Sequence, residues 1–246
     1  MKIAFTTSSL EGYGLNRIFR FAKELGFDGL ELVQSRKNLD TTDANYINAL
    51  CKEYDLPVLA IQTQDSSKSR QILDAVDIAK TIGTKIIVIK SPKFFDFKYT
   101  EWLKTEVPKI RERESISIAL ENSPDDTILG FIPATAMNSV NDLKKFKHAC
   151  LNTAYASSKK QNIIDLLMSM KNYLVHIHLT NVKQNHYGVL PQNGSLPMES
   201  FLAKIKQEDY KGTIALDINP KYLHVGKEDE MKKLLLEAKE FCLKYI

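Results

Sequence analysis

Cysteine is scarce: Cys51, Cys150 and Cys242 are the only three, far apart and without CxxC spacing. That excludes a dense disulfide framework and a thiolate zinc cluster, and points to reduced thiols in a cytoplasmic setting. No run of roughly 18 apolar residues exists, so no membrane-spanning helix is expected. Met1-Lys2-Ile3-Ala4-Phe5-Thr6 leads straight into a strand-like pattern with no apolar segment behind a basic start, so no secretory signal is expected either. Charge of one sign is also missing. The 34 Lys and Arg barely exceed the 30 Asp and Glu, and they are scattered, which reads as a solvated surface rather than a nucleic-acid track. Finally, Thr6-Thr7-Ser8-Ser9-Leu10-Glu11-Gly12-Tyr13-Gly14 lacks the GxGxxG spacing of a dinucleotide loop.

What the chain does have is an alternation. Eight short apolar runs recur at Lys2–Thr7, Gly29–Val33, Val58–Thr63, Lys85–Lys90, Ser117–Glu121, Ala149–Asn152, Leu174–Thr180 and Thr213–Ile218. Between and after them, helical periodicity appears near 15–25, 42–54, 68–82, 99–112, 138–146, 160–171, 198–206 and 227–244. Local chemistry marks the joints. Thr41-Thr42-Asp43 and Ser66-Ser67 are suited to cap helices, Gly83 to end one, and Pro57 and Pro108 fall at expected element ends. A strand followed by a helix and another strand implies parallel pairing. Eight such units match a barrel of about 250 residues. The expected fold is a single (β/α)8 TIM barrel, one domain over 1–246, with an open doubly wound sheet as the alternative. One long polar segment breaks the rhythm: 181–194, after the seventh strand, where a functional loop is expected.

In such a barrel the strand ends converge on one mouth. They read Thr7, Glu31, Gln62, Lys90, Glu121, Asn152, His178 and Asp217. Glu121 closes the apolar run Ile116–Leu120, where a carboxylate is costly unless it is paired or bound to an ion. His176 and His178 stand two apart on a strand and face one side, an acid/base or metal signal. Glu121, Asn152 and Asp217 add oxygen donors, a set suited to Mg²⁺, Mn²⁺ or Zn²⁺.

These motifs resemble the xylose-isomerase-like barrels, a superfamily of sugar isomerases, sugar epimerases and apurinic endonucleases. Gly26-Phe27-Asp28-Gly29-Leu30-Glu31-Leu32 looks like its second strand, Ala119-Leu120-Glu121-Asn122 its fifth and Val175-His176-Ile177-His178-Leu179 its seventh. Gly212–Pro220 looks like its eighth, and the resemblance covers essentially the whole chain. It implies one divalent metal ion (Mn²⁺, Mg²⁺ or Zn²⁺) on Glu121, Asn152, His178 and Asp217, with Glu121 and Asp217 as the catalytic pair. Two of these four depart from the superfamily pattern. Asn152 replaces an Asp and removes a charge, and Asp217 is one methylene shorter than the usual Glu.

The implied activity is isomerisation or epimerisation of a sugar or sugar phosphate by proton transfer beside a carbonyl. Glu31, Gln62, Lys90, His176 and His186 are the candidate substrate-binding residues. The alternative is a diverged barrel that binds a small ligand without metal or catalysis. The endonuclease reading is disfavoured, because Gln62, Lys90 and Asn181 replace residues of the zinc-cluster branch. The expected partner is therefore a carbohydrate-like small molecule, with neither nucleic acid nor a membrane. Phe94, Phe95, Phe97 and Trp102 line the pocket, form a homo-oligomer contact, or simply pack between helices.

Overall fold

A computed structural model describes residues 1–35, 38–63 and 68–246. The cap expected at Ser66-Ser67 lies outside the described residues. Eight parallel strands close into a barrel: β1 (Lys2–Thr6), β2 (Gly29–Val33), β3 (Val58–Gln62), β4 (Ile86–Ile89), β5 (Ser117–Glu121), β6 (Ala149–Asn152), β7 (Leu174–Leu179) and β8 (Thr213–Leu216). Each strand pairs with its sequence neighbour, and β1 closes the ring on β8 with Ala4 opposite Ala215. This is the (β/α)8 TIM barrel that the alternation predicts.

Alternation along the strands sorts their side chains into two layers. Ile3, Phe5, Leu30, Leu32, Ile87, Ile89, Ile118, Leu120, Ile214 and Leu216 face outward and join the helices in one apolar core. The inward positions are different. They include Ala4, Ala60, Val88, Ala119, Cys150 and Ala215, all fully buried, and three of these form a separate small cluster. Barrel interiors are usually filled by branched aliphatic side chains. Here small residues leave room on the axis, and Glu31, His176 and His178 occupy it.

The helices are α1 (Leu15–Glu24), α2 (Ala44–Glu53), α3 (Ser69–Ile82), α4 (Phe97–Glu114), α5 (Val140–Phe146), α6 (Thr153–Ser158), α7 (Ile163–Met170), α8 (Met198–Gln207) and α9 (Glu228–Tyr245). Asp43 caps α2 by accepting from the amides of Asn45 and Tyr46, and Gly83 ends α3 at φ 76°. Pro108 departs from expectation: it lies inside α4 rather than at an end. Its missing N–H frees the Lys104 carbonyl on the exposed side of the helix. The helix expected at 160–171 begins at Ile163, and α6 is an additional turn started by Asn152.

Arg111 pins α4 to the barrel. Its Nη1 donates to the Phe146 carbonyl at 2.7 Å and its Nε to the Ile118 carbonyl at 3.1 Å. The guanidinium also lies 4.2 Å from the centre of the Phe146 ring, and burial lowers its pKa to about 10. Arg111→Met keeps the apolar stem but leaves two carbonyls unpaired. It is expected to destabilise the fold by about 2 kcal/mol in urea unfolding.

Candidate functional site

The polar strand ends meet at the C-terminal face of the barrel. Glu31 on β2 is fully buried, and the residues it meets are far away in sequence. Its Oε2 accepts from His176 Nε2 at 2.7 Å, and its Oε1 accepts from His178 Nε2 at 2.8 Å. The other ring nitrogen of His178, Nδ1, faces Glu121 Oε1 at 2.7 Å. Two ionised carboxylates can only accept, so the imidazole between them donates from both nitrogens. Burial opposes that charge, but the Glu31 and Glu121 carboxylates outweigh it and raise the His178 pKa well above its ordinary value. In Glu31 too, burial is outweighed by His178 and His176, and its carboxyl falls far below the usual range. His176 Nδ1 is buried without a partner among the described residues.

Toward the mouth the network continues through an amide. Asn152 ends β6 and caps α6, its Oδ1 accepting from the Tyr155 amide at 3.3 Å. Its Nδ2 therefore turns to Glu121 Oε1 at 3.0 Å and Asp217 Oδ2 at 3.4 Å. Asn122 locks the same residue by its backbone, accepting from Asn152 N at 2.7 Å and donating to its carbonyl at 3.1 Å. Gln62 Nε2 reaches Glu121 Oε2 at 3.4 Å, and Thr6 Oγ1 donates to Asp217 Oδ1 at 3.4 Å.

The two mouth carboxylates are pushed in opposite directions. For Glu121, burial is overcome by His178, Lys90 and the Asn152 amide, and the pKa is lowered. For half-buried Asp217, desolvation dominates; Glu121 and Glu31 add to it against His178 and Lys90, and the pKa is raised. Lys90 is exposed at the rim, close enough to act on both.

Glu121, Asn152, His178, Asp217, Gln62 and Lys90 are thus brought together. Glu31 and His176 belong to the same network but lie inside the barrel, bonded to each other. His186 is not part of it: it stands exposed at the turn of the hairpin formed by Asn181–Lys183 and His186–Val189. Thr6, Cys150, Tyr155 and Tyr187 were not candidates. Burial pushes the Cys150 thiol up to about 12 beside His178. The Tyr155 ring, raised by burial and by Glu121 and Asp217, meets Tyr187 of the hairpin edge-on at 5.5 Å. The position of Tyr155 three residues after a capping Asn was the available signal.

Asn181 holds this hairpin. Its Oδ1 accepts from the amides of Val182 and Leu196 at 2.8 and 3.0 Å, and its Nδ2 donates to the Pro191 carbonyl at 2.7 Å. A Cβ on Gly194 would overlap the Asn181 side chain. Gly194→Ala is expected to cost about 1–3 kcal/mol through this overlap. Hydrogen exchange should then rise in the segment from 181 to 196 rather than across the barrel.

Among the described residues, two groups of titratable side chains have donor atoms within 4.8 Å of one another, close enough to share an ion: Glu31, His176 and His178, and Glu121, Cys150 and His178. Asp217 belongs to neither group.

Residues 19–241 match the family described as the xylose isomerase-like TIM barrel. The chain belongs to that family. An uncharacterized protein of Mycobacterium leprae is 20% identical over 282 residues, covering 100% of this chain and 98% of that protein. Among solved structures, the Escherichia coli 3-keto-D-glucoside 4-epimerase superposes with a TM-score of 0.74 at 17% identity, covering 98% of this chain and 99% of that one. A D-allulose 3-epimerase from Methylomonas sp. also gives 0.74 in two structures, one of them in complex with D-allulose, at 16–17% identity and over 100% of this chain and 97–98% of those chains. At these identities the superpositions establish the shared fold. Among the described residues, no helix is long and apolar enough to cross a membrane.

Proposed function

We propose that this family member isomerises or epimerises a small sugar-like carbonyl compound by moving a proton beside the carbonyl. One observation carries the reading: Glu121 and Asp217 share the Asn152 amide at the barrel mouth, and their surroundings push their pKa values apart. Paired carboxylates with divergent pKa values are what an acid and a base require in one site.

Glu121, kept ionised, takes the proton from the carbon next to the carbonyl. The electron pair moves onto the carbonyl oxygen as an enediolate. Asp217, its pKa raised by burial, returns a proton to that carbon from the other face and inverts it; in isomerisation the proton goes to the former carbonyl carbon while the neighbouring hydroxyl passes its proton to the first oxygen. The Lys90 ammonium and the Gln62 amide are the donors at hand for the oxygen. The Tyr155–Tyr187 pair lies beside the carboxylates and limits water there. No step passes through a metal ion. Family membership and epimerase neighbours in the solved structures are consistent with the substrate class.

The test is proton exchange. D-Allulose and D-tagatose, incubated with the protein in D2O, are expected to take up deuterium at the carbon beside the carbonyl, read by NMR. Glu121→Gln should abolish the uptake. Saturable sugar binding without uptake would instead assign a ligand-binding barrel.

A further inference from the structure

We propose that the barrel substitutes its own N–H donors for a divalent ion: Asn152 and His178 bridge Glu31, Glu121 and Asp217, and the site operates without bound metal. This concerns the site's architecture and holds whatever substrate it takes.

A metal cage needs each donor to turn a lone pair toward a common centre. Asn152 is turned the other way. Its Oδ1 is committed to the Tyr155 amide, and its Nδ2 faces a carboxylate oxygen on each side. Rotating the amide by half a turn would set its oxygen against the Glu121 carboxylate and its NH2 against the Tyr155 N–H, two repulsions where there were bonds. The backbone cannot shift to relieve them, because Asn122 holds both its N–H and its carbonyl. His178 has no ring nitrogen left over: Nδ1 faces Glu121 and Nε2 faces Glu31. Asp217, one methylene short of the Glu that the family resemblance implies, accepts from Thr6 Oγ1, which itself accepts from Ser8.

Charge points the same way. An Asn in place of an Asp removes one of the carboxylates that attract a dication, while Lys90 adds a fixed cation beside the remaining two. A dication in such a mouth would hold the carboxylates in register and offset their charge. Here the amide performs the first task, and the imidazole and ammonium the second.

The full-length protein, dialysed against EDTA, is titrated with MnCl2 by calorimetry and melted with and without Mn²⁺. Wild type is expected to show no saturable binding tighter than about 1 mM and no shift in melting temperature. Asn152→Asp, which supplies the absent oxygen and charge, is expected to bind Mn²⁺ roughly tenfold more tightly or better, an affinity lost again in Asn152→Asp/His178→Ala. One equivalent of metal in purified wild type, removed by His178→Ala, would overturn the proposal. So would an Asn152→Asp protein that melts cooperatively yet binds Mn²⁺ no better than wild type. Should that variant fail to fold, the wild-type titration and metal content decide by themselves.

Discussion

Glu31→Leu is expected to destabilise the protein by about 3–5 kcal/mol, the usual loss when one partner of a buried ion pair is removed. Glu31 is fully buried and accepts from two imidazoles that have no water to turn to. Without it, His176 Nε2 and His178 Nε2 are both left unpaired inside the barrel. For a chain of this size the melting temperature should fall by roughly 6–20 °C. The effect carries a pH signature. The His178 pKa is raised in the fold, so its contribution is complete below the ordinary value of 6.5 and is lost as pH rises toward the folded value. Glu31 is lowered, so its contribution is present above about 4.5 and is lost only in acid. Wild type should therefore lose stability between neutral and alkaline pH, and Glu31→Leu should lose much less over the same interval. Equal pH slopes in the two proteins would show that His178 carries no charge in the fold.

Glu121→Gln and Asp217→Asn are each expected to lower turnover by about 10²- to 10⁴-fold, the range for a lost general acid or base. In barrier height that is about 3–5 kcal/mol. Both replacements are close to isosteric, so the fold should persist and circular dichroism should be unchanged. The pH profile separates the roles. In wild type the acid limb reports Glu121, set below the ordinary carboxylate range, and the alkaline limb reports Asp217, set above it. Residual activity in Glu121→Gln should lose the acid limb, and in Asp217→Asn the alkaline one. Either variant with full turnover sinks the two-carboxylate mechanism.

The barrel was legible because its strands are short apolar runs that end in polar residues, and because periodicity changes between them. The mouth was legible for the same reason: Glu121, His178 and Asp217 each lie at or within two residues of the end of such a run. Partnership was harder to read. Glu31 and His176 are 145 residues apart, and only the closure of the barrel sets β2 across from β7. The sequence offered both as substrate-binding candidates, and the fold shows them buried and bonded to each other. Asn152 was legible as a lost charge but not as a donor, since its orientation depends on α6, an element absent from the periodicity. Pro108 misled for a local reason, because an exposed carbonyl tolerates the loss of its partner.

The four inward alanines, Ala4, Ala60, Ala119 and Ala215, set a limit on how this protein can be improved. Enlarging them to valine is the ordinary route to a better-packed barrel. In this one the same volume houses Glu31, His176 and His178, so added methyl groups would compete with the chemistry for space. Thermostability and activity should trade against each other most steeply at these positions, and variants selected for stability alone should lose the polar axis first.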